Sequence, residues 1–211
     1  MSVLYDFKKV DQALINIDKE TLLEDVDVRY SLTIPFLDRK EGLSVGIILM
    51  NPSKANMNIS DSTVNKLIKF FYDYKVNKSQ IKDITICNIL PIYASNTKLT
   101  MKKIRDLHLA NALDKVQNCN EDKLKWKMEN KSLIVLAWGK PDVSSIPNLL
   151  YYKEVLRVVN LVSTLHGDTL YVLDIENAKS TFTENGDSRH AGRSATLKGL
   201  IKIEASELFG L

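Results

Sequence analysis

Three apolar runs in this chain stop at a Pro or Gly, with an Asn or Trp at or shortly before the stop: "VGIILMNPS" (45–53), "ITICNILP" (84–91) and "LIVLAWGKP" (133–141). The residues at those stops could do chemistry. Asn51 and Asn88 carry amides, which read a base edge or hold a water without bearing charge. Pro52 pre-sets a turn, so the chain leaves its strand there, and Asn51 could equally bond its own turn. Ser53 and Tyr93 add hydroxyls to the same two stops. Trp138 followed by Gly139 offers a flat ring beside a close backbone approach, suited to a base, although core filler is the commoner use of a lone Trp. Lys140 is a candidate phosphate contact. Asp61, among Ser60, Ser62 and Thr63, suits a helix cap, and a capped helix start presents N–H groups to an anion.

A fourth segment, "RHAGR" (189–193), holds His190 between Arg189 and Arg193. Neighbouring cations favour the neutral imidazole, which polarises an oxygen or accepts a proton, and the two arginines are candidate phosphate contacts. His108 and His166 fall on a helix and in a loop, away from the strand ends. No HxxxH or CxxC spacing occurs, so no metal site is expected. The phosphate loop GxxxxGK[ST], the dinucleotide pattern GxGxxG and the GxSxG nucleophile elbow are all missing. No cofactor is expected.

Such stops matter only if the elements before them point the same way. "RYSLTIPFL" (29–37) reads as a strand near an edge, because Pro35 suits an edge or a strand end. "LSVGIILM" (43–50), "DITICNIL" (83–90), "SLIVLAW" (132–138) and "TLYVLDI" (169–175) are apolar runs of strands covered on both faces. Between them fall helical patterns. Val64, Leu67, Ile68 and Phe71 stand at i, i+3, i+4 and i+7. One helix is expected through "IRDLHLANALDKVQNC" (104–119), and another through 146–164 with Pro147 in its first turn. A helix is expected around "DQALINI" (11–17), and a polar loop then a short apolar tail after the last strand. The alternation implies an α/β three-layer sandwich: a mostly parallel central sheet with helices on both faces. The expected organisation is an N-terminal extension (1–27) and a single α/β domain (28–211). In such a sheet ligands bind outside the carboxyl ends of the strands, so the stops should share one cleft.

At 211 residues, 45% hydrophobic and 26% charged, the chain can bury a core and is not a disordered polymer. No apolar run nears the ~20 residues a membrane helix needs. The start resembles no signal peptide, and two lone cysteines, Cys87 and Cys119, suit a reducing cytoplasm. The net charge of +3 is unevenly spread. Residues 1–61 carry −3, residues 62–140 carry +8 and residues 141–211 carry −2. A basic middle suits phosphate-rich partners, DNA or a nucleotide, and equally suits solvated helix faces.

The segments "RYSL" (29–32), "ILMNPSKANMNISDSTV" (48–64), "ICNILPIYASN" (86–96) and "VLAWGKP" (135–141) resemble a bacterial and phage family of unknown function, DUF1643. The family implies no activity. "IILMNPS" and "IVLAWGKP" also resemble, more distantly, strand ends of the uracil-DNA glycosylase superfamily. That resemblance implies a uracil-DNA-glycosylase-like fold, in which Asn51 positions water or stabilises a sugar cation. Asn88 would read the base and His190 would polarise a pyrimidine oxygen. The first loop lacks the acid that activates water, and the last lacks a Pro-Ser wedge. The expectation is therefore nucleic-acid or nucleotide binding with weak N-glycosidic hydrolysis at most. The alternatives are a non-catalytic accessory protein of a phage or mobile element, or an enzyme acting on free nucleotides.

Overall fold

The computed structural model describes residues 3–94, 97–141, 148–167, 170–193 and 196–210, with only the backbone of Thr97, Lys98, Arg193 and Gly210. Eight strands form one sheet: β1 (Asn16–Leu23), β2 (Val26–Pro35), β3 (Leu43–Leu49), β4 (Lys75–Val76), β5 (Ser79–Asn88), β6 (Leu133–Leu136), β7 (Leu170–Ile175) and β8 (Leu197–Ile203). Their order is β1-β2-β5-β3-β6-β7-β8, with β4 paired to β5. Four helices join them: α1 (Ser62–Asp73), α2 (Thr97–Leu109), α3 (Leu113–Met128) and α4 (Asn148–His166).

Period-2 alternation divides the core between the two faces of the sheet. Val45, Ile47 and Leu49 point with Ile84, Ile86, Val135 and Ala137 towards α1, which answers with Val64, Leu67, Ile68 and Phe71. Ile48, Cys87, Ile134, Leu136 and Val172 point the other way, against Leu107 of α2, Leu124 and Met128 of α3, and Val155 and Val162 of α4. Three layers result, as the patterning implies.

The expected mostly parallel sheet needs correction. Only β5, β3, β6 and β7 pair in parallel. β1–β2, β2–β5, β4–β5 and β7–β8 are antiparallel, so antiparallel pairs are the majority. The flanking strands come from segments whose sequence hid them. "NIDKETLL" is β1, with three charged residues (Asp18, Lys19 and Glu20) on a strand open to solvent, where charge blunts an exposed edge. The helix expected there is a single 3-10 turn, Gln12–Leu14. The apolar tail is β8. Within the N-terminal residues, Tyr5, Val10 and Ile15 are buried in the α1-side core.

The helix expected through 104–119 is two helices, interrupted where Asn111 takes a left-handed φ of 53°, a conformation Asn tolerates better than most residues. Pro147 lies outside the described residues. Among the described residues, no helix is long and apolar enough to cross a membrane.

Gly46 marks a close contact between the sheet and α3. A Cβ there would collide with Met128 Sδ and stand 2.8 Å from Ile134 Cδ1. Gly46→Val should overpack the β3–α3 interface and lower stability by about 1–3 kcal/mol, read as a lower midpoint in urea denaturation.

Candidate functional site

The carboxyl ends of β3, β5 and β6 lie side by side, since Ile89 N–H donates to Leu49 O (2.9 Å) and Ala137 N–H to Ile48 O (2.9 Å). The three stops therefore share one edge of the sheet. What each residue does there differs from what its type alone suggests.

Asn51 is half-buried and its Nδ2 donates to Pro52 O at 3.3 Å, the local turn bond. Its Oδ1 can accept, so Asn51 orients a donor but cannot deprotonate one. Pro52 is buried, and its carbonyl also accepts from Ala94 N–H at 3.4 Å, which ties the first loop to the second. Ser53 Oγ donates to Asp61 Oδ2, while Asp61 Oδ1 accepts from Val64 N–H at 2.9 Å as the cap of α1. Both carboxylate oxygens are thus engaged in holding the loop and the helix start.

Behind this loop lies a residue the sequence reading did not select. Arg29 is 1% exposed. It stands next to a bulge in β2, where Ser31 faces Asp18 and Arg29 faces Lys19, leaving Tyr30 unpaired. A bulge re-aims the side chains around it. Valines 26 and 28 and Tyr30 face the α3 side, whereas Leu32 and Ile34 face α1. Arg29 Nη1 donates to Ala55 O at 2.9 Å and Nη2 to Asn88 Oδ1 at 3.3 Å, and its Nε has no partner. Tyr93 donates to the same Ala55 carbonyl, and the guanidinium lies 5.5 Å from its ring centroid. Burial lowers the Arg29 pKa, and Tyr93, Asp61 and Tyr5 act against that shift. The one available signal was a lone arginine inside a strand rich in β-branched and aromatic residues, at the head of the "RYSL" segment.

Asn88 is fully buried, with Oδ1 held by Arg29 and Nδ2 without a partner. Trp138 is 0% exposed, so it offers no open face on which a base could stack. Its backbone N–H donates to Ser188 Oγ at 3.2 Å. The indole lies beside Asp187 and acts to lower that carboxyl's pKa, yet the pair falls short of hydrogen-bond geometry, leaving Nε1 and Oδ1 unpartnered. Gly139 is buried at φ +73°. A Cβ on it would stand 2.5 Å from His190 Cβ, so the absence of a side chain lets the last loop dock on the β6 end. Tyr151 of α4 holds the Gly139 carbonyl at 3.1 Å.

His190 is half-buried and its Nδ1 accepts from Gly192 N–H at 2.9 Å. In the neutral ring that bond puts the proton on Nε2, which then donates. A Cβ on Gly192 would collide with Thr63 Oγ1, so His190 sits between the β6 end and the start of α1. Arg189, expected to meet phosphate, instead staples its own loop: Nε to Ser180 O (2.8 Å), Nη2 to Ser180 Oγ (3.0 Å) and Phe182 O (3.0 Å). The side chain of Arg193 lies outside the described residues. Lys140 is half-buried and close enough to act on the charge of Asp187.

Cys87 is inert, its thiol pushed up to about 12 by burial. No group of three His, Cys, Asp or Glu side chains able to hold a metal occurs among the described residues.

Residues 29–190 match the family described as "Protein of unknown function (DUF1643)". The chain belongs to that family. No curated protein and no solved structure matches it. The matched span of this DUF1643 protein starts at Arg29 and ends at His190, so it contains both the buried guanidinium and the docked histidine.

Gly139→Ala should displace the His190 loop, because the φ is left-handed and the new methyl meets His190; the His190 ring protons should shift in NMR while the sheet stays folded. Asp187 supplies a pH dependence. Burial raises its folded pKa above the ordinary 3.8, so the folded state holds that proton more tightly than the unfolded chain. Stability from this group should fall as pH rises from about 3.8 through the raised value. Asp187→Asn should flatten that limb of a melting-temperature profile.

Proposed function

We propose that the carboxyl edge of the sheet binds a nucleotide or a nucleic-acid base, and that N-glycosidic cleavage there is slow or absent. The observation that carries the reading is the docking of His190 between Gly139 and the start of α1. It brings a hydrogen-bonding imidazole to the edge where Asn51 and the capped helix start already stand. The uracil-DNA-glycosylase-like character of the fold belongs to this proposal, supported by parallel strands that end in Asn-Pro and Trp-Gly with a late histidine beside them.

The chemistry available argues for binding over cleavage. Breaking an N-glycosidic bond needs groups aimed at both the electron-poor sugar and the departing base. His190 Nε2–H suits a base oxygen. On the sugar side, Asn51 orients water without activating it, and Asp61 has both oxygens engaged. Among the described residues no carboxylate at that edge is left uncommitted to take the water's proton, so excision there lacks a dedicated general base, whose help ordinarily contributes about 10²–10⁴-fold.

Fluorescence anisotropy with nucleotides and labelled oligonucleotides, run beside incubation of uracil- and mismatch-containing duplexes, tests both halves. Binding with few or no abasic sites is expected. His190→Ala should weaken binding about fivefold or more, whereas Asn51→Ala should preserve fold and bulk binding and remove any residual excision. Rapid uracil removal by the wild-type chain, or unchanged nucleotide affinity in His190→Ala, would refute this reading.

A further inference from the structure

The opposite edge of the sheet carries a different surface. There the strip facing α3 turns polar: Thr33 and Pro35 of β2, Ser44 of β3, and Asp83 and Thr85 of β5 floor a groove of about 610 Å³. Trp126, Lys127 and Lys131 wall it at the carboxyl end of α3, with Arg39, Lys40 and Lys82 opposite. Asp83 is the only acid in the lining, and it is bonded to Ser44 Oγ (2.6 Å) and Lys131 Nζ (3.0 Å). Arg39 is fixed by the carbonyls of Ile81 (2.9 Å) and Tyr72 (2.8 Å), so its charge is positioned without a carboxylate. Five cations thus line the groove against one acid, and with Lys131 paired to Asp83 the other four stand outside that ion pair.

Trp126 is 64% exposed, with Lys127 Nζ 4.4 Å from its ring centroid. A largely exposed indole buries little apolar surface, and here it stands at the rim of a cationic groove. We propose that this groove binds single-stranded nucleic acid, one base stacking on Trp126 while Lys40, Lys82 and Lys127 meet the backbone phosphates. A basic track with an aromatic platform is what sequence-tolerant strand binding requires, because every base has a π-face and every phosphate a charge. Acidic protein would satisfy the cations but leave the indole without a stacking partner. This contact lies beyond the carboxyl-edge site and does not depend on it.

The two tryptophans make the test direct, since Trp138 is wholly buried and Trp126 is the exposed reporter. Fifteen-residue oligothymidylate, titrated at 50 mM salt, should quench tryptophan emission. Trp126→Phe should abolish the quench while retaining affinity, and Trp126→Ala should weaken anisotropy-measured binding about 5- to 100-fold. The pair Lys82→Ala/Lys127→Ala should reduce affinity and make it less steeply salt-dependent. Near-ultraviolet circular dichroism, dominated by buried rings, checks that each variant is folded. Polyglutamate of equal charge should bind more weakly and leave Trp126→Ala indistinguishable from wild type.

Absence of oligothymidylate binding, or unchanged affinity in both the Trp126→Ala and the double-lysine chains, overturns the inference. So does polyglutamate binding as tight as oligothymidylate. Loss in His190→Ala with no loss in the groove variants overturns it while favouring the carboxyl-edge reading. Loss in the groove variants alone sustains it.

Discussion

A single buried cation organises the carboxyl edge of this protein. Arg29 is removed from water, and among the described residues no carboxylate stands within ion-pair distance of it. A charge in that position is tolerated only if nearby dipoles replace its hydration. The dipoles are the Ala55 carbonyl and the Asn88 amide, with the Tyr93 ring alongside. Each belongs to a different segment, so solvating one guanidinium fixes the first loop, the end of β5 and the chain beyond it. Arg29 N–H and Tyr93 N–H extend that link by bonding Pro91 O (2.7 Å) and Asp27 O (2.9 Å).

The other half of the edge is held by close approach rather than charge. Gly139 and Gly192 each lack the Cβ that would keep the last loop away. Ser188 and Asp187 then fasten that loop to Trp138 and to Tyr152 of α4. Buried polar atoms remain on both sides, notably Arg29 Nε, Asn88 Nδ2 and Trp138 Nε1. Unsatisfied buried polar groups are uncommon because each costs stability. Four such atoms, counting Asp187 Oδ1, lie at this edge of the sheet, a local cost of the kind that functional sites carry.

Polarity at the two ends of the sheet therefore has different origins. At the carboxyl edge polar groups are enclosed and bonded to one another. At the amino edge Thr33, Thr85 and Asp83 continue the strand alternation beyond the cover of the apolar part of α3, and the cations gathered there come from segments far apart in the chain. The basic middle of the sequence supplies Lys82, Lys127 and Lys131, but Arg39 and Lys40 come from the acidic first part. Segment charge alone could not assign that surface.

Alternation of apolar runs with helical patterns was legible in the sequence, and so were the three layers and the common edge of the strand stops. These follow from local periodicity, which each segment carries within itself. The antiparallel flanks were not legible, because β1 is a charged edge strand and β8 a short tail, and both are strands only through their neighbours' hydrogen bonds. Site residues divide in the same way. Asp61 as a cap could be read from its position before an amphipathic run. That Trp138 is enclosed, that Arg189 staples its own loop, and that Arg29 is buried beneath Asn51–Asp61 could not. Those outcomes depend on which distant segment supplies the carbonyl or leaves the space, and only the folded chain brings such partners within hydrogen-bond reach.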